Sequence, residues 1–546
     1  MSAINSRLAT TLHTLASTAN EASVPILLAA LEVEDCATRN KVFRTLLSRH
    51  DESAENEVLR RWTSLGRYWQ TEVTRREGWL CDAIRRALLG ADENLRVQAA
   101  AAAVATHDYD CLPTLAALAA DKAHAFGPQA AKTLIQLAEK LHEELAQPRD
   151  YRTRRDPQIQ RSHAIGSLER AVQAFDQHGR QEVLEAFLVL AGREQPSLSK
   201  LLDEPGSRIF GPLMDILTSS PRLGVIRLLL GYLEDSFAPP AAIQAIARRT
   251  DVTFLRLLFR RIGLEASSML LANLRRIENI PWLKPNLSLL DSLQDQEHAG
   301  ALRFIVSSGI PRPVALEALV QTLGQGRAPC RRVAAALLAE FRGEEANAAA
   351  LRAIEDEDPQ VRATVAGQLR DRGVPGFLNI LIGMLDSEFD DERQAAHQAL
   401  AEFSFERYLA SFDYWDEETR QRTGKLVKRV DLHASTLLRE ELLATSRTRR
   451  RRGLEMAAHL NLVSEVQDVI AAMAKDDDQF IRVEAVRILG QNPTEVSAQV
   501  LSEALSDSLA IVQEAAEQGC RELAKESPSP LPAIATTSVA HTATAS

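Results

Sequence analysis

The sequence predicts an all-α solenoid of stacked helix pairs with a disordered C-terminal tail, and three observations predict it. Gly (25) and Pro (22) are sparse in 546 residues and aromatics are 5%, whereas strands want β-branched and aromatic residues with frequent turns. A phrase built on an Arg recurs with small or apolar residues three, four and seven positions later, as in Arg331-Ala334-Ala335-Leu338 and Arg482-Ala485-Val486-Leu489. Positions 331, 362 and 393 are 31 apart, 420 follows after 27, and 451, 482 and 513 resume the step of 31. Helix pairs that cannot bury an apolar face alone do so by stacking.

Five segments follow. Residues 1–145 read as N-terminal helical repeats, with one clear phrase at Asp92/Arg96. Residues 146–162 are polar, basic and Pro-punctuated, and read as a linker or loop. Residues 163–313 keep helical periodicity but lose the phrase, and read as degenerate repeats. Residues 314–525 carry the regular period. There Asp358, Asp416 and Asp478 stand four residues before Arg362, Arg420 and Arg482, where an aspartate caps a helix by accepting from its orphan N–H groups. Apolar helices precede each cap: Val314–Leu323, Ala348–Ile354, Phe377–Leu385 and Val466–Met473. Residues 526–546 are mainly Ser, Thr, Ala and Pro, and read as the disordered tail.

The phrase D-x-x-[VIL]-R-x-x-A-[AV]-x-x-L at this period resembles the HEAT repeats, in particular the short PBS-lyase HEAT-like variety. The resemblance is strong over 314–526, recognisable over about 81–140 and weak over 163–313. It implies that the ladder Asp92, Arg96, Asp358, Arg362, Asp416, Arg420, Asp478 and Arg482 is structural and bridges successive repeats. It implies no lyase activity, because the repeat is far commoner in scaffold proteins.

Charge and cysteines bound the partners. The net charge is −10, and residues 314–526 alone carry −11, the wrong sign for a surface built to neutralise phosphates. Nucleic-acid binding is therefore the secondary reading. It rests on Arg248-Arg249, Arg260-Arg261 and Arg275-Arg276, which recur in the middle region like a basic face. Five scattered cysteines without a CxxC argue against a disulfide framework or a zinc knuckle and suit a reducing cytoplasm. No apolar run approaches the ~18 residues of a membrane span.

The chemistry of catalysis is thin. His142-Glu143 is the one His-Glu pair, and His50-Asp51 and His107-Asp108 read as solvated turn residues. No HExxH, GxSxG or P-loop occurs. The expectation is a non-catalytic scaffold that binds unidentified protein partners along a concave face, with no cofactor or metal. Six aromatics fall between Phe403 and Trp415, and aromatics dominate interface hot spots. Tyr408, Phe412, Tyr414 and Trp415 are therefore candidate partner contacts, with the basic run Arg449, Arg450, Arg451 and Arg452 as a docking point for an acidic segment.

Overall fold

A computed structural model describes residues 2–18, 20–148, 156–263, 266–283 and 288–526. Among these, every regular element is helical and none is a strand. The chain divides into two compact units, residues 1–321 and residues 322 onward.

In the first unit the caps are aspartates where the sequence supplies them. Asp35, Asp51, Asp92 and Asp251 each accept from a backbone N–H three residues on. Asp156 caps the helix Pro157–Gln173. The last third of the expected linker, Pro157 to Ser162, is therefore helical, with Pro at the first position where a missing N–H costs nothing. Residues 149–155 of that linker lie outside the described residues, as does the expected tail beyond Glu526. The helix Glu93–Thr106 buries Ala99, Ala100, Ala102 and Ala103, so its neighbours pack close to its backbone.

The degenerate middle keeps the stacking by another device. Arg249 is 0% exposed. It donates to Leu217 O at 3.0 Å, Ser220 O at 2.7 Å and Asp251 at 2.8 Å. Those carbonyls lie at the end of the helix Phe210–Ser219 and just after it, so a side chain of one helix pair satisfies the orphan acceptors of the preceding pair. Arg49 does the same for Leu15 O, Thr18 O and Asn20 O. Asn273 reaches Leu233 O and Asp235 O.

In the second unit six helix pairs follow one another. They are Glu344–Ala353 with Pro359–Leu369, Phe377–Met384 with Asp390–Ala399, and Phe405–Ser411 with Glu417–Val430. Ala434–Leu442 with Arg447–His459, Gln467–Met473 with Gln479–Gly490, and Glu495–Ala504 with Ala510–Glu526 complete the series. The expected bridge between repeats exists, but its members are shifted. Arg331 donates to Gly326 O in its own turn and to Asp356 in the next at 2.8 Å. Arg482 likewise joins Asp476 O (2.8 Å) to Asp507 (3.1 Å). Arg450 joins Thr445 O (2.9 Å) to Asp476 (3.0 Å). Arg362 joins Asp356 O and Glu357 O to Glu392.

For Arg331 and Arg450 the receiving carboxylate is thus not the capping aspartate but the acid two residues before it, Asp356 and Asp476, whereas Arg362 is received by Glu392, three residues after the N-cap Phe389. The caps Asp358, Asp416 and Asp478 hold their own helix N-termini. Asp358 and Asp478 also accept from Arg332 and Arg447 of the preceding pair. The phase at 451 is off by one, because Arg450 and not Arg451 makes the bridge. Arg420 makes none: it donates to Phe412 O at 2.8 Å, and the places 25 and 26 residues on hold Thr445 and Ser446 in place of an acid. Arg96 donates to Gly90 O and Ala91 O of its own turn.

Two predictions follow from these bonds. Arg249→Ala leaves two helix-end carbonyls and Asp251 without their donor, and should cost about 3–5 kcal/mol in urea unfolding of the full chain, whereas Arg422→Ala on an exposed face should cost under about 0.5 kcal/mol. The second concerns acid. Burial pushes the Asp358 and Asp507 carboxyls up, but arginine and backbone N–H donors hold both below the usual value. The Arg449 guanidinium holds Glu441 down in the same way. A depressed acid stabilises the fold above its unfolded pKa of about 4 and loses that contribution as pH falls through the folded value. The unfolding midpoint of the second unit should therefore be flat from pH 7 to about 5 and fall steeply below about 4.

Candidate functional site

The aromatic segment divides into a buried part and an exposed part. Tyr408 is 1% exposed and Phe412 0%, because the helix Phe405–Ser411 turns the first ring into the core and the 3-10 turn Phe412–Tyr414 the second. The Tyr408 hydroxyl donates to Arg420 O at 2.9 Å. The Phe412 ring meets His459 edge-on at 5.6 Å and carries the Arg420 guanidinium at 4.3 Å. Trp415 is half-buried, its ring 5.7 Å from that of Tyr408. Gly424 permits this packing: a Cβ there would sit 2.5 Å from His459 O and 3.1 Å from the Tyr408 hydroxyl. Tyr408 and Phe412 are thus core residues and not partner contacts. Tyr414 differs entirely, at 88% exposed on a short 3-10 turn.

The basic run is also engaged. Arg449 forks onto Glu441 at 2.6 Å, Arg450 is the bridge already described, and Arg451 pairs with Glu455 at 3.3 Å. Arg452 reaches Asp413 at 3.4 Å and Glu441 at 3.6 Å. A run of four arginines therefore presents little free positive charge, since each guanidinium has a carboxylate within its own unit.

Tyr414 belongs to a row that the sequence reading did not single out. Exposed apolar side chains stand at or beside the turns that join the two helices of successive pairs: Phe389, Tyr414 and Leu443 before the second helix, Phe480 and Ile511 on its second residue. Leu443 is 65% and Phe480 54% exposed. The bridges Arg362–Glu392, Arg450–Asp476 and Arg482–Asp507 run between these same turns. Guanidiniums flank two of the rings, Arg362 over Phe389 and Arg447 over Phe480. Carboxylates fill the spaces: Asp390, Asp391, Asp413, Asp416, Glu417, Glu418 and Asp477 are exposed on the same turns or the first helical residues after them. The signal was present in the sequence, since each apolar residue stands near the start of the phrase. Phrase alignment attends to the buried positions and passes over it.

The arginine pairs of the middle region form no stripe. Arg249 is buried, Arg260 and Arg261 bond Glu297 and Glu234 at 2.7 Å, and Arg276 donates to Ala238 O. The secondary, nucleic-acid reading loses its basic face here. His107-Asp108 is likewise not a solvated turn pair. Asp108 is buried and accepts from the Cys111 thiol at 3.2 Å, and burial beside that carboxylate pushes the Cys111 thiol far up and keeps it protonated. Cys81, Asp108 and Asp110 bring one ligand atom each within 4.8 Å of one another, the grouping among the described residues with the donor types to hold a metal ion.

The burial pattern separates two otherwise similar residues. Tyr408→Phe should cost about 1 kcal/mol of stability by removing the buried hydroxyl's bond to Arg420 O, and Tyr414→Ala under about 0.5 kcal/mol, read from thermal unfolding of the full chain.

The family model for HEAT repeats matches residues 316–401. No curated protein matches the sequence. Among solved structures, one from a study of the phosphorylation-controlled interaction between cadherin and beta-catenin is 13% identical with a TM-score of 0.38, covering 92% of this chain and 99% of that one. The Kap95:Nup1 complex is 13% identical with a TM-score of 0.28, covering 95% and 77%. Human deoxyhypusine hydroxylase with glycerol is 18% identical with a TM-score of 0.20, covering 61% and 97%. The chain is thus an all-α repeat protein whose residues 316–401 are HEAT repeats, built from helix pairs and, among the described residues, without a strand.

Proposed function

We propose that the protein is a non-catalytic scaffold that binds protein partners, and that the second unit does so through the edge bearing Tyr414 and Leu443 rather than through the aromatic core beneath it. One observation carries the reading. Exposed apolar side chains recur at or beside successive turns, among exposed carboxylates and the guanidiniums of Arg362 and Arg447. Exposed aromatics bring no folding benefit comparable to their burial at an interface, where truncating a hot-spot residue costs about 2 kcal/mol or more. The partner that fits is a segment with apolar side chains at intervals and lysine or arginine between them, drawn by the acidic surroundings. The described helices offer no span long and apolar enough to cross a membrane.

A photo-crosslinking residue placed at the exposed position 418 of the full chain, in an otherwise wild-type protein and in the double variant Tyr414→Ala/Leu443→Ala, tests the edge. Discrete polypeptides should be captured by the wild type and weakened at least about tenfold by the double variant, while its unfolding midpoint stays unchanged. Equal capture by both proteins refutes the edge.

A further inference from the structure

A cavity of about 290 Å³ in the first unit is lined by the side chains of His142, Arg161, Arg193 and Arg227, which come from four different elements. His142 ends the helix Gly127–Leu145, and Arg161 lies in the helix Pro157–Gln173. Arg193 follows the helix Gln181–Leu190, and Arg227 lies in the helix Leu223–Tyr232. Two of the guanidiniums are pinned in place. Arg161 donates to Leu190 O at 2.7 Å, and Arg193 donates to Gly231 O at 2.7 Å. Each spends one nitrogen on the scaffold. Arg227 is exposed and has no carboxylate partner among the described residues. Glu194 is the one carboxylate among the lining residues, and it stands 3.9 Å from Arg161 with its side chain 75% exposed.

The chain folds so as to bring these groups together. Gly224 lets the helix Leu223–Tyr232 lie on the helix Gln181–Leu190, since a Cβ there would fall 2.6 Å from Val189 O. Gly231 makes room for the Arg193 stem, 3.0 Å from where its own Cβ would be. Three like charges converge with one exposed counter-charge, an arrangement that costs folding free energy unless an anion offsets it. The acids nearest on the His142 helix are already engaged, Glu139 with Arg222 and Glu143 with Lys140.

We propose that this cavity binds a phosphate monoester dianion, presented as a phosphoserine or phosphothreonine of a protein partner. A dianion with three acceptor oxygens matches three guanidinium forks, each capable of paired N–H···O bonds. A carboxylate offers half the charge and fewer acceptors. A nucleic-acid backbone needs cations repeated along a stripe, and four of the six middle-region arginines that could extend one, Arg249, Arg260, Arg261 and Arg276, are committed to carbonyls and carboxylates, leaving Arg248 and Arg275. The site lies wholly within the first unit, so it stands or falls independently of the edge on the second.

His142 supplies an internal reporter. Burial holds its imidazole below the ordinary value, Arg227 and Arg161 lower it further, and Glu143 and Glu139 act in the opposite sense. A bound dianion offsets the two arginines, so the His142 pKa should rise on binding. The experiment follows the His142 ring signal in histidine-labelled full-length protein titrated with inorganic phosphate. Calorimetry then compares a degenerate peptide pool carrying a fixed phosphoserine with the same pool unphosphorylated, and with a short DNA duplex.

The expected result is an upward shift of the His142 pKa with phosphate and tighter binding of the phosphorylated pool than of phosphate alone. Arg227→Ala should lose at least about tenfold in affinity with an unchanged unfolding midpoint. Arg227→Lys should recover part of the loss, because it restores charge without the fork, and Arg248→Ala outside the cavity should bind as wild type. Any of three results overturns the proposal: no response of His142 to phosphate, equal affinity in Arg227→Ala, or a preference for the duplex over the phosphorylated pool. Binding of phosphate with no gain for the phosphorylated pool over the unphosphorylated one overturns its assignment to a protein partner.

Discussion

The arginine guanidinium set against the open ends of helices is the interaction on which the rest of this structure depends. A chain of short helices multiplies helix termini, and every terminus leaves backbone groups without an intrahelical partner. Where neighbouring helix pairs stack, water has limited access to those groups, and an unpaired buried carbonyl costs about 1–3 kcal/mol. Arginine solves the problem with five donors on one rigid fork. Arg249 spends three of its nitrogens on two carbonyls and a carboxylate, and Arg331 spends its fork on one turn and the next.

That use of arginine governs what charge remains for other work. A count of basic residues suggests a positive middle region and a basic patch at 447–452. In the folded chain nearly all of those guanidiniums are tied to carbonyls or carboxylates of their own unit. What is left is uneven in an informative way. In the second unit carboxylates stay exposed between apolar side chains on the turn edge. Among the described residues of the first unit, Arg227 has no carboxylate partner beside two pinned neighbours. Both surfaces are residues of the same accounting, one left acidic and one left basic.

The 27-residue step shows what happens when the repeat is interrupted. Four residues are missing before Arg420, which turns back to Phe412 O, and the next turn offers it Thr445 and Ser446 in place of an acid. The bridge is replaced by large side chains: Tyr408, Phe412 and Trp415 fill the space that regular repeats close with alanines, and Gly424 makes the fit possible. The aromatic cluster is therefore first a repair of the stacking. Tyr414 is the member that the short turn leaves outside.

The sequence by itself determined the helical class, the helix pairs of 314–526 and the capping role of Asp92, Asp358, Asp416 and Asp478, because these depend on period and on residues within one turn. An aspartate four residues before the phrase Arg caps a helix whatever lies beyond it. Only the tertiary structure decided which charges meet between turns. The bridge acids Asp356, Asp476 and Asp507 lie 25 or 26 residues after their arginines, and whether Arg450 or Arg451 is used depends on a fraction of a helical turn that spacing cannot fix. It also decided which aromatics face inward, since Tyr408 and Tyr414 are similar in composition and differ only in whether a neighbouring helix covers them. The cavity of His142, Arg161, Arg193 and Arg227 spans 86 positions of chain and no local pattern links its members. Their meeting is a product of stacking, which acts on shape and burial rather than on order along the chain.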